Sequence, residues 1–468
     1  MLWACLLLPQ LALDGVLRRR SVDDQPLVLA GGPVNARLIV SANAVARQAG
    51  LHVGQRLSAA QALLASFEVQ PYDQAAVSRW HHFIAAAAYR YSSEVRLLPH
   101  AVLLEVSGSL GLFGPWAQLE ARLRTDLADL GFHHRIAVAP TAHAAFVLAG
   151  VRDGVAALEP DQLLAVLRNV AIAKGRLPAV AAQRLPGMGI RTLGQLLELP
   201  RDGLRRRFGV ELLEAIDRLL GNLPDGLEPY RPPDVFDLRI ELLQEVESTG
   251  ALVFPLRRMT GDLAAYLAGR DGGVQRFVVR LEHHDAPATD VVVGLLAAER
   301  DPGMLFELAR ERLERVQLPE PVLAMRLIAR DLPAFVPAGR ELFDERPAHA
   351  LPMEQLRERL RARLGDGAVY RLTSTTDPRP ERAQSAGVQA HTAVEPFARP
   401  TWLLPRPIPL RGTPTHILAG PERLETGWWD GGDVRRDYYM VETSLGQRAW
   451  AFCAAGERGG WMLQGWFA

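Results

Sequence analysis

Cysteine is almost missing from this chain of 468 residues: it has Cys5 and Cys453, at opposite ends. Two such distant thiols are neither a disulfide framework nor a metal cluster, and they fit a reducing cytoplasm. Lysine is scarcer still, with Lys174 alone among 53 lysines and arginines. An excess of either charge is absent too, since 53 acids bring the formal net charge to +0. That excludes a generally basic nucleic-acid coat but not a local basic groove. No apolar run is long enough to span a membrane. Met1 to Leu13 is apolar but has no basic residues ahead of it, and Arg18, Arg19 and Arg20 follow it. It reads as a buried first strand rather than a secretion signal. No carboxylate lies anywhere in it, and nothing in the chain repeats at a fixed period.

What is present is globular: 48% hydrophobic and 23% charged residues, enough for about three domains with large cores. Residues 2–8 read as a strand ending at Pro9, and 26–29 and 38–41 as short strands. Helices are expected over 42–50, 57–64, 77–91 and 116–130, with strands at 94–98, 101–106 and 135–139 and a helix at 141–149. From 160 to 220 the pattern is helical, and 221–233 is a proline- and glycine-rich linker. Strands at 236–246, 275–282 and 322–328 alternate with helices at 254–268 and 303–316, giving a separate small α/β unit. Residues 333–352 read as a second linker, 378–414 as extended, and 421–468 as aromatic-rich strands. The whole is an α+β multidomain protein.

The most informative stretch runs from Leu185 to Gly209. Gly187 and Gly189 permit φ > 0 and close backbone approach. The helix start at Arg191 and Thr192 is expected to offer unpaired amides and a dipole end to a phosphate. Arg205, Arg206 and Arg207 add sequence-independent attraction to a nucleic-acid backbone. This is a helix-hairpin-helix pattern; its plain alternative is an αα-turn with a glycine cap. The basic cluster favours the nucleic-acid reading.

The order of these pieces resembles the Y-family (translesion) DNA polymerases over roughly residues 1–330. The resemblance implies a palm at 1–165 with fingers inserted at about 15–75, and a thumb at 166–232. It further implies a little-finger-like domain at 235–330, a linker at 333–352 and a C-terminal partner-binding region at 353–468. Ala46-Arg47 stands at the family's tyrosine-x-alanine-arginine motif, with Ala44 in place of the tyrosine. In that family two metal ions are held by carboxylates of the first strand and a hairpin. Aligned on Asp14, those positions become Cys5 and Leu7, with Pro9 and Gln10 at the sugar gate, and His100 and Ala101 at the hairpin. A thiol, leucine and alanine are not ligands for a hard cation. The expectation is therefore no metal, no cofactor and no polymerase activity. The alternative is an active Y-family polymerase with unusual acids.

The tail, from Gly420 through Trp428-Trp429 and Tyr438-Tyr439 to Trp461 and Trp466-Phe467, resembles that of ImuB-type proteins of bacterial mutasomes. That resemblance implies a non-catalytic, nucleoid-associated cytoplasmic adaptor in SOS-type repair and translesion synthesis. Its partners would be primer-template DNA, the sliding clamp, an error-prone C-family polymerase and a RecA-like accessory protein. The clamp-binding candidate is Leu342-Phe343 within Arg340–Asp344, with Gly339 where the family has glutamine; packing on its own domain stands as the alternative. Trp428, Trp429, Tyr438, Tyr439, Trp461 and Trp466 are the candidate partner-binding aromatics, or else a small core. Arg257, Arg276 and Arg280 are candidates for a DNA backbone. The pairs His81-His82, His133-His134 and His283-His284 read as solvated or capping rather than chelating, because neighbours point in different directions.

Overall fold

A computed structural model describes residues 1–18, 25–335, 353–365, 367–370, 372–375, 377–386 and 399–467. The chain divides into two compact units, Met1–Arg359 and Leu360–Ala468. The mixed α+β class is as expected.

The first unit is built around a five-stranded sheet ordered Val95–Leu98, Ala101–Glu105, Trp3–Leu7, Arg135–Ala139, Val155–Ala156. Trp3–Leu7 lies at its centre and pairs antiparallel on both sides, with Leu7 opposite Ala101 and Cys5 opposite Leu103. A strand covered on both faces needs no polar residues, which explains its unbroken apolar run. Cys5, Leu7, Ala101, Leu103, Ala137 and Ala139 share one buried cluster with the Ala142–Val151 helix. Leu6, Val102 and Ile136 are equally buried on the opposite face, as the two-residue period requires.

The insertion folds as a three-stranded sheet, Leu38–Ala42, Leu27–Gly31 and Glu68–Pro71, with its own small core. Its helix Ala44–Gln48 starts at Asn43 rather than Ala42. The buried Asn43 carboxamide oxygen accepts from Ala46 N–H at 2.9 Å and Leu27 N–H at 3.0 Å, so one side chain caps the helix and pins the strand.

The helical stretch comprises Pro160–Leu167, Ala179–Gly187, Leu193–Leu197, Arg201–Phe208 and Val210–Leu220. Leu185, Leu193, Leu204, Leu212 and Ile216 join the same core as Cys5 and Leu7. The following proline-rich stretch is not free: Tyr230 N–H donates to the Val95 carbonyl at 2.8 Å, along the edge of the first sheet.

The last part of this unit is a four-stranded antiparallel sheet ordered Thr289–Glu299, Val274–Glu282, Val322–Asp331, Phe236–Val246. Thr289–Glu299 was not among the expected strands. The Val253–Gly269 and Pro302–Leu313 helices pack together on the side of the buried Phe277, Val279 and Leu281.

One contact ties this part to the beginning of the chain. Val253–Gly269 lies on the Gln74–Ala88 helix, and any side chain at Gly269 would collide with the Ala86 carbonyl. Beside it, Arg18 and Asp262 form an ion pair at 2.5 Å with both side chains 1% exposed. The Arg18 guanidinium stands 4.4 Å from the Trp80 ring centre and 4.6 Å from that of Phe132. Arg258 donates to the Asp129 and Leu130 carbonyls at the end of the Trp116–Asp129 helix. Arg18, read in the sequence only as part of a basic triplet, is thus a core residue.

The second unit carries a five-stranded antiparallel sheet: Trp402–Pro409, Met462–Trp466, Arg448–Ala454, Val434–Glu442, His416–Thr426. Residues 378–414, expected to be extended, include its edge strand. Pro405, Pro407 and Pro409 are tolerated there because an edge strand leaves one side of its ladder unused.

Candidate nucleic-acid interface

Three of the four positions that the polymerase resemblance would fill with carboxylates, Cys5, Leu7 and Ala101, converge on one apolar face. Cys5 and Ala101 are fully buried and Leu7 nearly so, packed against Ala142–Val151. Burial pushes the Cys5 thiol far up, so it is no thiolate ligand. His100 sits outside this cluster, exposed on the hairpin with a left-handed φ of 57°, and its carbonyl accepts from Leu8 N–H at 2.8 Å. These residues do not fit a divalent cation. Among the described residues no group of three or more His, Cys, Asp or Glu is placed to hold a metal ion.

The nearby acids serve the backbone instead. Glu105 accepts from Leu2 and Ser107 N–H groups. Asp14, buried, accepts from His133 N–H at 2.9 Å and lies 2.7 Å from its Nδ1; burial raises the carboxyl, and His133 opposes that shift. The histidine pairs do not chelate. His81 Nε2 lies 2.9 Å from the Ala101 carbonyl, and the buried His283 lies 2.9 Å from Thr289 Oγ1.

The turn between Ala179–Gly187 and Leu193–Leu197 departs from the chemistry expected of it. Ala179–Gly187 ends in a turn where Gly189 adopts φ 84°, and the space around Gly187 and Gly189 is open. Thr192 caps Leu193–Leu197 in a reciprocal box with Gln195. The amides expected to be free are therefore taken. Arg191 and Thr192 N–H donate to Gln195 Oε1, Leu193 N–H to the Val170 carbonyl, and Gly189 and Ile190 N–H to Pro186 and Leu185. Leu193–Leu197 is also only five residues long, too short for a substantial dipole. The cationic side chains remain. Arg191 is exposed, as are Arg205, Arg206 and Arg207 in the last turn of Arg201–Phe208, and among the described residues none of these four has an ion-pair partner. Only Arg201 of that helix is committed, bidentate to Asp217 at 2.6 and 2.9 Å.

The sheet arginines differ in that most of them already have acid partners. Arg280 is held bidentate by Asp290 at 2.7 and 2.8 Å. Its cross-strand neighbour Arg326 is held likewise by Asp237, and the next, Arg239, by Glu282 and Glu241. Arg257 lies on the helical side, over the Phe306 ring at 4.3 Å. Arg276 is exposed and, among the described residues, without a partner. Sequence reasoning missed this pairing because all the acids but Glu241 come from other strands.

The tail aromatics separate into two groups. Trp428 and Trp429 are 77% and 57% exposed and stand edge to face at 5.6 Å. Tyr438 is buried and stacks on Trp450 at 4.3 Å, so it offers no partner surface. Tyr439 packs on Trp461 at 5.2 Å, and Trp466 lines the same core. The Trp428-Trp429 turn is fixed by the buried Arg379, which pairs with Asp377 and Asp430 and donates to the Gly432 carbonyl. That guanidinium holds the Asp430 carboxyl well below the usual range. Leu342 and Phe343 lie outside the described residues.

Residues 14–150 match the model of the impB/mucB/samB family. Over 444 residues the chain is 27% identical to Protein ImuB of Caulobacter vibrioides strain NA1000 / CB15N, covering 86% of this chain and 95% of the relative, and equally to that of strain ATCC 19089 / CIP 103742 / CB 15. Among solved structures it is similar to DinB from Sulfolobus solfataricus, at 16% identity and a TM-score of 0.40 over 72% of this chain and 100% of that one. A post-insertion binary complex of Dbh DNA polymerase gives 16% identity and 0.42, over 70% of this chain and 98% of that one. In the described residues no helix is long and apolar enough to cross a membrane. The likeness to the impB/mucB/samB family thus lies within residues 14–150, and the similarity to Protein ImuB runs along most of the chain.

Proposed function

We propose that this chain is a DNA-binding adaptor acting at damaged DNA, which performs no nucleotidyl transfer itself. The observation that carries this reading is the apolar, close-packed face at Cys5, Leu7 and Ala101, beside a hairpin whose arginines remain available. Such a face offers no oxygen ligands, and phosphoryl transfer of this class depends on metal ions. In this reading residues 1–165 act as palm and fingers, 166–232 as thumb and 235–330 as little finger. Arg191, Arg205, Arg206 and Arg207 attract the DNA backbone, with Gly187 and Gly189 leaving room for it. Leu342 and Phe343 engage the sliding clamp. Trp428 and Trp429 meet a protein partner, such as an error-prone C-family polymerase or a RecA-like accessory protein.

Primer extension with Mg²⁺ or Mn²⁺, run beside a salt-dependent gel shift on the same primer-template, tests the reading. The adaptor binds at low salt and adds no nucleotide. Templated addition by the purified chain would replace it with an active polymerase, and absence of any shift at low salt would remove the DNA role. Clamp pulldown with Leu342→Ala/Phe343→Ala tests the linker: capture should fall, and unchanged capture moves the site elsewhere.

A further inference from the structure

One cation in this molecule is placed as if to meet a ligand. Arg176 lies between the Ile172–Lys174 turn and the Ala179–Gly187 helix, with a left-handed φ of 50°. A non-glycine residue there carries strain of about 1 kcal/mol or more, and such strain gathers at functional positions. Its guanidinium carbon stands 3.5 Å from the centre of the Phe146 ring. Gly150, one turn further along the same helix, has no side chain to crowd it; a Cβ there would lie 3.6 Å from Nη2. Among the described residues Arg176 makes no hydrogen bond or ion pair. Partial burial lowers its pKa. One turn before Phe146, the buried His143 Nε2 is also without a partner, and the Arg176 charge bears on that ring.

Arg176 is exposed, so the edge of its guanidinium is open to an incoming anion. Phe146 holds the guanidinium plane through its ring face but leaves all five N–H donors unspent. The position adjoins Cys5, on the face where the polymerase family would place metal ions.

We propose that Arg176, stacked on Phe146, is a seat for a phosphate ester at this face. The planar fork takes two non-bridging oxygens, and the protein's own cation supplies the charge that a metal ion would otherwise bring. The ester comes either from a DNA backbone or from a free deoxynucleoside triphosphate. This inference rests on the DNA-binding reading above and extends it from the hairpin to the sheet.

Arg176→Gly is the informative variant, because glycine accepts the left-handed backbone and thermal unfolding should not fall. Full-length wild type, Arg176→Gly, Arg176→Lys and Arg205→Ala/Arg206→Ala/Arg207→Ala are compared by fluorescence anisotropy with primer-template DNA over a salt series. A parallel titration uses a deoxynucleoside triphosphate alone. The expected result is about tenfold weaker DNA binding by Arg176→Gly, with a salt slope shallower by about one unit. Arg176→Lys keeps the slope but not the full affinity. Loss of triphosphate binding with unchanged DNA binding also supports the seat and assigns it to free nucleotide. If Arg176→Gly changes neither while the triple variant loses DNA, the seat is wrong and the hairpin reading stands. If neither variant changes DNA binding and Arg176→Gly leaves triphosphate binding unchanged, both are wrong.

Discussion

Arg205, Arg206 and Arg207 on the short helix after the hairpin, and Arg239, Arg326 and Arg280 across the four-stranded sheet, are two arginine triplets with opposite electrostatics. The sheet triplet is matched acid for base by Glu282, Asp237 and Asp290. The helix triplet has no acid partner among the described residues. The lesson is that arginine content does not locate a binding surface in this chain; the partner each guanidinium already has does. A matched row contributes little net field, and displacing its carboxylates costs a competing anion free energy.

The rule that an arginine's existing partner decides its role is tested hardest outside both triplets, at the buried Arg18. Asp262→Ala leaves Arg18 uncompensated in the junction and should cost about 3–5 kcal/mol of stability, read by urea unfolding. Replacing both partners with leucine should recover most of that loss; no recovery would mean that the pair is not the cause. Next, Arg205→Ala/Arg206→Ala/Arg207→Ala should weaken primer-template binding by at least tenfold. It should flatten the salt slope by up to about 2.7 units, with unfolding unchanged within about 0.5 kcal/mol. An equal effect from Arg280→Ala would erase the distinction between the triplets; the expectation there is a change within about twofold. Conversely, Asp237→Asn/Asp290→Asn should free Arg326 and Arg280 and raise DNA affinity by about two- to fivefold at low salt, an increase absent at high salt.

The smallest effect concerns pH in the second unit. Arg423 and the Gly456 N–H hold the Asp437 carboxyl down to about 2. A depressed carboxylate contributes stability above its unfolded pKa, near 4, and loses it as pH falls through the folded value. Stability should therefore drop between about pH 4 and pH 2, and Asp437→Asn should lower the stability at neutral pH and shallow that drop. An unchanged pH profile would show that this pairing is not what makes the unit acid-sensitive.

Much of the fold was legible from period and punctuation. The expected strand at 2–8 is Trp3–Leu7, and the expected helix at 254–268 is Val253–Gly269. Thr289–Glu299 was missed because Gly294 and the run Val291-Val292-Val293 blur its alternation, and only pairing with Val274–Glu282 defines it. The edge strand Trp402–Pro409 was hidden by its own prolines. For the site, the missing carboxylates were readable because that absence is local to one strand. The matched sheet arginines and Arg176 were not, since each depends on residues brought together only by folding, whereas the cap at Thr192 was signalled by Gln195 three residues on. Six tail aromatics looked alike in sequence; burial alone separates Trp428 and Trp429 from Tyr438.

The absent side chain at Gly269 has a consequence in time as well as in space. With helix backbone resting directly on the Ala86 carbonyl, and a buried ion pair alongside, the junction has no partly open arrangement that keeps both satisfied. The Gln74–Ala88 and Val253–Gly269 helices should come apart together or not at all. Their amides would then exchange hydrogen through one shared opening, at a single rate, although more than 160 residues of chain separate them.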